Sequence, residues 1–324
     1  MSDTNMHDVV MVGAGPAALT AAIYTTREDI DTLLVEKGVV GGLAAVTDVI
    51  DNYPGFSKGV HGLELAESLR EQAERFGAKI ELGEVSGVHD EGELKRLETT
   101  SGDILAKAVL ITTGCDYKKT GVSGEEEYYA RGVHFCATCD GAFYRDKRLV
   151  VIGGGNSALQ ESIFLTRYAT HIDLLVRSNI KASDVLQKEI QPYLDNGKIT
   201  VHLGVTPKEI VGDDNGVTKV IGTSSDGKDI DFNTDGVFIF IGLKPNTAFL
   251  KNSKVKLNEQ GFVITDNNLE TNVKGIFAAG DVRSGATMQI ASASGEGATA
   301  ALKIREYLEG RLHNPKVEQL EVTP

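Results

Sequence analysis

The first forty residues alternate between apolar runs and small residues in an order typical of nucleotide-binding α/β proteins. An apolar run at residues 9–12 leads into a glycine-containing turn at 13–15 and then into an apolar-periodic segment that reaches about Arg27. A second apolar run follows at 32–36 and ends in an acid. This order predicts a strand, a tight turn, a helix and a second strand.

The same plan returns in the middle of the chain. Residues 149–152 are apolar, three glycines follow at 153–155, a periodic segment extends to about Ala169, and another apolar run occupies 172–177. Val176 lies at the same interval from the first glycine of its turn as the terminal acid of the first copy does from its own. The duplication predicts two βαβ units and therefore two doubly wound domains.

The remaining pattern completes an α/β fold. An amphipathic helix is expected at 62–76, and short alternating strands are expected at 79–112. Apolar strands closed by glycine or acid are expected at 237–242 and 275–281, followed by a long helix at 289–310.

Composition and charge narrow the class of protein. Of the 324 residues, 41% are hydrophobic and 24% charged, which is ordinary for a globular protein, and the formal charge is −13. Neither nucleic acid nor a membrane is expected as a partner, because the acidic chain has no basic stretch and its apolar runs are too short to span a bilayer. The first eight residues lack the pattern of a secretory signal, and three cysteines are too few for a disulfide framework. We therefore expect a cytoplasmic protein.

The first glycine turn predicts a dinucleotide site. Gly13 permits the tight turn, Gly15 lets the backbone approach a pyrophosphate, and a helix that begins at Pro16 directs N–H groups toward it. Glu36 is placed to bind ribose hydroxyls. The alternative is a turn that serves only packing, and the ordered strand, helix and acid favour the cofactor.

Asp281 ends another buried strand. It is either a surface turn residue or an acid directed at a sugar-like hydroxyl of a cofactor. Two such elements, separated by most of the chain, favour FAD, which is long enough to contact both.

Cys136 and Cys139 stand at the C-x-x-C spacing of reactive dithiols. The alternatives are half of a zinc site, for which only Cys115 and His134 are further candidate ligands, and inert buried thiols. Asp140 is either a helix cap or a group that relays protons in thiol–disulfide exchange. We expect Cys115 to be a passive thiol.

The second glycine turn predicts a second nucleotide site. Val176 replaces the acid of the first copy, which argues against the free 2′-hydroxyl of NAD. Arg177 and Lys181 suit the 2′-phosphate of NADP, and both are equally compatible with solvated surface cations. NADPH, NADH and no nicotinamide use therefore remain open. The turn residues expected to bind are Gly153, Gly155, Asn156 and Ser157.

These motifs together resemble the low-molecular-weight thioredoxin reductases over essentially the whole chain. The matching segments, in order, are GAGPAALTAAIY (13–24), NYPGF (52–56), ITTG (111–114), CATCDG (136–141), GGGNSA (153–158) and GIFAAGD (275–281). The resemblance implies two Rossmann-like three-layer domains, with an FAD domain formed by 1–117 and 246–324 and a pyridine-nucleotide-type domain, 118–245, inserted into it. It also implies a homodimer that reduces thioredoxin with electrons passed from NADPH through FAD.

The resemblance further assigns residue roles. Cys139 would face the flavin, Cys136 would attack the substrate disulfide, and Asp140 would be the acid–base group. The inserted domain would rotate to bring either the disulfide or the nicotinamide to the flavin. The expected FAD contacts are Gly13, Gly15, Pro16, Ala17, Glu36, Gly42, Leu43, Asn52, Val85, Thr113, Gly114, Gly280, Asp281, Gln289 and Ile290.

Two departures from the family concern the electron donor. The family has His-Arg-Arg and a later arginine where this chain has Val176-Arg177-Ser178 and Lys181, and Arg-Gln-Ala where it has Met288-Gln289-Ile290. A buried bidentate arginine contact contributes about 1.5–3 kcal/mol, so recognition of the 2′-phosphate should be weaker. The chain thus also resembles the atypical branch of the family, which uses NADPH poorly or takes electrons from a donor such as ferredoxin.

Two other functions compete with the disulfide reductase. One is a ferredoxin/flavodoxin–NADP oxidoreductase, a class that lacks the CATCD motif. The other is a flavin-binding sensor whose dithiol reports redox state without turnover.

Overall fold

A computed structural model describes residues 6–47 and 49–310. The first eight residues, in which no secretory signal is predicted, lie mostly outside these ranges. The outermost ends of the predicted FAD domain also lie outside them. Within the described ranges no helix is both long enough and apolar enough to cross a bilayer.

The chain forms two compact units. One unit extends to Asp116 and resumes at Lys244, and the other comprises Tyr117–Leu243. The inserted unit therefore begins one residue before, and ends two residues before, the predicted 118–245.

The elements of the discontinuous unit lie on either side of the insertion. Before it come β1 (Met6–Val12), α1 (Pro16–Thr26), β2 (Thr32–Glu36), α2 (Gly42–Ala45), β3 (Val49–Ile50), β4 (Val60–His61), α3 (Gly62–Arg75), β5 (Lys79–Leu82), β6 (Val85–Glu91), β7 (Leu94–Thr99), β8 (Gly102–Ile111) and β9 (Cys115–Tyr117), whose last residue begins the insertion.

The inserted unit has its own sheet and helices. In chain order it contains β10 (Val133–His134), α4 (Ala137–Asp140), a 3-10 helix (Gly141–Tyr144), β11 (Arg148–Ile152), α5 (Asn156–Leu165), β12 (His171–Val176), α6 (Asp184–Asp195), β13 (Ile199–Leu203), β14 (Thr206–Asp213), β15 (Gly216–Thr223), β16 (Asp229–Asn233) and β17 (Gly236–Ile239). The chain then returns to the first unit through β18 (Leu243–Pro245), a 3-10 helix (Ala248–Leu250), β19 (Ile276–Ala278) and α7 (Ile290–Leu308).

A twisted sheet organises the discontinuous unit. Its strand order is β5-β2-β1-β8-β7-β6, and β19 pairs with β8 near the end of that strand. Strands β5, β2, β1, β8 and β19 are parallel, whereas β6, β7 and β8 form an antiparallel meander. The carboxyl ends of β1, β2, β8 and β19 therefore meet at one edge, where ligands of open α/β sheets bind.

Both faces of this sheet are buried, which explains the apolar run at 9–12. Val9 and Met11 pack with α1 and α7 on one face, and Val10 and Val12 pack with residues of the meander and of 250–282 on the other. A parallel strand covered on both faces is expected to be continuously apolar. The predicted strand–turn–helix–strand at the start of the chain is confirmed.

The inserted unit repeats the arrangement. Its parallel sheet has the order β10-β17-β11-β12-β13, and β14-β15-β16 form a separate antiparallel sheet. Strand β11 pairs with β12 and β17 as β1 pairs with β2 and β8, so the duplication in the sequence is a duplication of structure.

The second βαβ unit differs from prediction at the end of its helix. Helix α5 ends at Leu165 rather than near Ala169. The N–H of Thr170 donates to the carbonyl of Lys147, and the N–H of Asp146 donates to that of Tyr168. These bonds to the segment before β11 draw the chain out of the helix.

Candidate functional site

The first glycine turn has the geometry that a pyrophosphate requires. Gly13 has φ +98°, and a Cβ there would lie 2.7 Å from the carbonyl oxygen of Thr112 at the end of β8. Gly15 is different, since no atom lies within 4 Å of where its Cβ would stand. Gly15 is the N-cap of α1 and provides no side-chain cap, so the first N–H groups of this helix face an open side.

Two further residues border this turn. The Glu36 carboxylate accepts hydrogen bonds from the N–H of Ala14 at 2.7 Å and of Gly38 at 2.8 Å, which fixes it beside the turn. A Cβ on Gly42 would lie 3.7 Å from the Cα of Gly15. Glu36 and Gly42 thus stand at one edge with the glycine turn, as the sequence predicts.

The strand ending in Asp281 reaches the same edge. A Cβ on Gly280 would lie 3.2 Å from the Cβ of Ala17 at the start of α1. The N–H of Gly280 donates to Glu296, whose carboxylate also pairs with the guanidinium of Arg283. Burial, and next the charge of Glu296, raise the pKa of Asp281 to about 6. No cation among the described residues pairs with Asp281, and a poorly solvated acid of this kind is suited to accept hydrogen bonds from ligand hydroxyls.

Other expected contacts occur as hydrogen-bonded pairs. The side-chain amide of Asn52 donates to that of Gln289 at 3.0 Å, and Gln289 is the N-cap of α7. The hydroxyl of Thr113 donates to the carbonyl of Asn246 at 2.7 Å, and the N–H of Asn246 donates to the carbonyl of Gly114 at 3.1 Å. Asn246 was not among the predicted contacts.

The remaining expected FAD contacts have mixed environments. Leu43 is exposed on α2, whereas Val85, the first residue of β6, is buried. Ile290 is half-buried against a small cluster that contains Ile50. For these three residues, as for the other expected contacts, the contact with FAD stays a prediction.

The residues at this edge fit a dinucleotide. The open side of Gly15 and the uncapped start of α1 match a pyrophosphate, Glu36 matches ribose hydroxyls, and Asp281 matches a further hydroxyl. The crowding around Gly13 and the space around Gly15 distinguish a turn that admits a ligand from one that serves packing alone.

The second glycine turn reproduces the first. Gly153 has φ +150°, and its Cβ would lie 2.4 Å from the carbonyl of Phe240 at the end of β17. The Cβ of Gly155 would again meet nothing within 4 Å, and Gly155 is the uncapped start of α5. In both turns the first glycine is crowded and the glycine at the start of the helix is open.

The second turn lacks the carboxylate of the first. The side chain of Val176 is 2.7 Å from where a Cβ on Gly154 would stand, and the N–H of Lys181 donates to the carbonyl of Gly154. The side chains of Arg177 and Lys181 are exposed, and neither forms an ion pair with the residues that the structure describes. Asn156 accepts from the N–H of Ser183 at 2.8 Å, and Ser157 is exposed.

Cys136 and Cys139 form a disulfide in the inserted unit. Cys136 is the N-cap of α4, and its sulfur accepts a hydrogen bond from the N–H of Cys139 at 3.2 Å. Both residues are partly exposed. A sulfur that receives a backbone N–H at a helix start is stabilised as a thiolate once the disulfide is reduced.

The Asp140 side chain does not cap a helix. It is the last residue of α4, and its carboxylate lies 3.3 Å from Nδ1 of His134. Nε2 of the same ring lies 2.6 Å from the hydroxyl of Tyr144. Cys136 occupies the N-cap position of α4, and Asp140 occupies that of the 3-10 helix Gly141–Tyr144, where its side chain makes no capping hydrogen bond.

The remaining cysteine, Cys115, has the environment of an unreactive thiol. Cys115 is buried, and its sulfur lies 3.9 Å from that of Met288. Burial, and then the charges of Asp281 and Asp116, raise its pKa to about 12. A thiol that stays protonated at neutral pH is a poor nucleophile, as expected for a passive residue. No cluster of three or more potential ligands for a metal ion occurs among residues 6–47 and 49–310.

Sequence reasoning missed the polar residues that support the site. His134 was considered only as a zinc ligand, and Tyr144, Glu296 and Arg283 were not considered. His134 lies two residues before the C-x-x-C pair, which is the one signal in the sequence, but its contact with Asp140 depends on the reversal of the chain through α4.

Comparison with known proteins identifies the family. The profile of the pyridine nucleotide-disulphide oxidoreductases matches residues 7–297. The thioredoxin reductases of Bacillus subtilis and Listeria innocua are each 41% identical over 311 residues, which cover 95% of this chain and 97% and 96% of theirs. The crystal structure of thioredoxin reductase from Streptococcus pyogenes superposes with a TM-score of 0.89 at 38% identity, covering 95% of this chain and all of the other. The chain belongs to the pyridine nucleotide-disulphide oxidoreductase family and, within it, to the low-molecular-weight thioredoxin reductases.

Proposed function

We propose that this protein is an FAD-dependent thioredoxin-disulfide reductase. The observation that carries the proposal is the Cys136–Cys139 disulfide, partly exposed at the start of α4, with Asp140 directly after it. The family relationship supports a flavin and a pyridine nucleotide as redox partners, and the names of the relatives support thioredoxin as the substrate.

Specific residues would hold FAD. The N–H groups at the start of α1, next to Gly15, would bind the pyrophosphate, Glu36 would bind ribose hydroxyls, and Asp281 would accept from a further hydroxyl. When bound, FAD supplies a carrier that accepts two electrons from the donor and passes them to a disulfide.

The cysteines and Asp140 would then carry out the exchange. The thiolate of Cys136 attacks one sulfur of the thioredoxin disulfide, and Cys139 closes the enzyme's disulfide and releases reduced thioredoxin. Asp140 takes up the proton that Cys139 loses. Assembly as a homodimer and cytoplasmic localisation are further predictions from the family resemblance.

The test of this function uses cysteine variants with a matched control. Cys139→Ser should retain flavin and lose thioredoxin-coupled reduction, because the exchange requires both sulfurs. Cys115→Ser, which changes a buried and protonated thiol, should retain both properties. Flavin absorbance and reduction of oxidised thioredoxin measure the two outcomes. Thioredoxin reduction by the Cys139→Ser variant would contradict the proposal.

The electron donor has two candidates. Exposed Arg177 favours NADPH, whereas Val176 and the loss of the family's other arginines favour a protein donor such as ferredoxin. Anaerobic titration with NADPH, NADH and reduced ferredoxin should show which one bleaches the flavin. We expect weak bleaching by NADPH, and rapid bleaching at micromolar concentration would contradict a weakened site.

If NADPH reduces the flavin, Arg177 should discriminate its 2′-phosphate. Arg177→Ala should raise the KM for NADPH about tenfold and leave that for NADH unchanged, since only NADPH carries the phosphate. Arg167→Ala is the control, because this arginine lies over the Phe164 ring after α5. Equal effects on both nucleotides would assign Arg177 another role.

A further inference from the structure

His134 is held rigidly beside the acid that follows the redox cysteines. It ends β10, where it pairs in register with Phe238 of β17. Its ring is buried and stacks on the Phe238 ring with centroids 5.2 Å apart, and the Tyr144 ring meets it edge-on at the same distance. The orientation of the imidazole is therefore fixed on two sides.

Both nitrogens of this ring are engaged, and the partners define the tautomer. The phenol of Tyr144, 2.6 Å from Nε2, has its pKa raised, first by burial and then by the charges of Asp140 and Asp235. The neutral hydroxyl can donate to Nε2 of His134, and that arrangement leaves the ring proton on Nδ1. Nδ1 lies 3.3 Å from the Asp140 carboxylate, at ion-pair distance.

We propose that His134, as its Nδ1–H tautomer, is a positioning residue for Asp140: its ring, held by Phe238 and Tyr144, keeps the carboxylate in the place from which it accepts the proton of Cys139. This inference rests on the proposed function, because it assigns His134 a part in the same thiol–disulfide exchange. Tyr144 supports this arrangement by donating its hydroxyl proton to Nε2, which leaves the ring proton on Nδ1.

The exchange balances with Asp140 as proton acceptor. The Cys136 thiolate attacks a disulfide of the partner protein, so that a mixed disulfide forms and the first partner sulfur leaves as a thiolate. Cys139 transfers its proton to Asp140 and attacks the Cys136 sulfur, and the second partner sulfur leaves as a thiolate. Two electrons pass from enzyme to partner, the Cys136–Cys139 bond forms, and the partner thiolates take up protons from Asp140 and solvent.

In the part of the chain that the structure describes, few other charged or titratable groups lie near this site. Tyr129 is affected by the charge of Asp140, and burial raises its pKa, so it remains neutral. The charge of Lys119 lowers the pKa of Tyr129, and the charge of Asp235 raises that of Tyr144. Neither Lys119 nor Asp235 forms an ion pair with Asp140 in the described part of the chain. Among the described residues, His134 is accordingly the one whose ring lies at ion-pair distance from this carboxylate.

The first experiment reads the tautomer directly. Nitrogen-15 NMR of the histidines in the flavin-loaded protein at neutral pH should show His134 as the Nδ1–H tautomer. Tyr144→Phe should abolish that preference while leaving the histidine in place. An Nε2–H signal for His134 in the unmodified protein would overturn the inference.

The second experiment measures dithiol oxidation. Pre-reduced enzyme is mixed with oxidised thioredoxin, and separately with a small aromatic disulfide, and the remaining thiols are trapped over a range of pH. His134→Leu should slow oxidation about tenfold at neutral pH, because the Asp140 carboxylate loses the ring that holds it in place. His134→Asn, which keeps an N–H donor near the Nδ1 position, should remain within about twofold of the unmodified enzyme.

The control is His202→Gln, which changes a histidine of the same unit that contacts Asp173 instead. It should leave the rate and its pH dependence unchanged. A His134→Leu variant that binds flavin and keeps the original rate profile would overturn the inference. If unmodified enzyme reacts with the small disulfide but not with thioredoxin, the proposed function fails, while the small-disulfide profiles still decide the role of His134.

Discussion

Asp281 is the residue of the expected FAD site whose pKa the fold changes most directly. Burial and the charge of Glu296 raise its pKa from 3.8 to about 6. The folded protein therefore binds this proton more tightly than the unfolded chain does. The resulting stabilisation is complete below pH 3.8 and is lost as the pH rises through about 6.

The direction of this pH dependence can be tested by substituting Asp281. Asp281→Asn should stabilise the flavin-free protein by about 1–2 kcal/mol at pH 8, because it removes a poorly solvated charge, and should have little effect at pH 4. Urea unfolding at the two pH values measures the difference. Asp116→Asn, a change at an exposed acid, should show no such dependence on pH.

The same variant should bind FAD more weakly, since an amide is a poorer acceptor for a hydroxyl than a carboxylate. A gain in stability combined with a loss of affinity would identify Asp281 as an acid retained for its ligand. Unchanged FAD affinity would exclude the predicted contact.

Site residues that form a motif with a characteristic spacing could be predicted from the sequence. Site residues that act through a contact made only in the folded protein could not. The C-x-x-C pair forms the disulfide that its spacing suggested. The pairing of His134 with Asp140 depends instead on how β10 joins the sheet beside Phe238. No periodicity records a contact of that kind.

The elements follow the sequence closely wherever burial on both sides fixes their composition. Strands β1 and β11 are uninterrupted apolar runs for this reason, and their glycine turns repeat because each must pass under the end of a neighbouring strand. Helix α5 ends earlier than its pattern because bonds to the segment before β11 compete with the last turn. These are tertiary hydrogen bonds, and the local pattern of apolar residues does not reveal them.

The first turn permits a matched pair of substitutions. Gly13→Ala should destabilise the protein by about 1–3 kcal/mol, since it places a side chain at φ +98° against the carbonyl of Thr112. Gly15→Ala should alter stability by less than about 1 kcal/mol, because its methyl enters open space, and should weaken FAD binding about tenfold or more. Thermal unfolding of the flavin-free variants and FAD titration separate the two effects. Full FAD affinity in the Gly15→Ala variant would mean that the open side of the turn is not where the pyrophosphate binds.

At the scale of the whole molecule, the chain leaves and re-enters the discontinuous unit at neighbouring points. The N–H of Asn246 donates to the carbonyl of Gly114, so the two crossings lie side by side within that unit. The insertion of residues 117–243 therefore interrupts the first fold at a place equivalent to a hairpin loop.

This arrangement predicts that the first unit folds without the second. Replacing residues 117–243 by a linker of about four glycine and serine residues should give a folded protein, because a hairpin loop of that length spans neighbouring strands. The shortened chain retains the first glycine turn, Glu36 and Asp281, and should bind FAD. It should reduce no thioredoxin even with chemically reduced flavin, since both redox cysteines are removed. Flavin content, circular dichroism and thioredoxin reduction test these three statements, and a chain that is folded but colourless would show that FAD binding needs groups from the inserted unit.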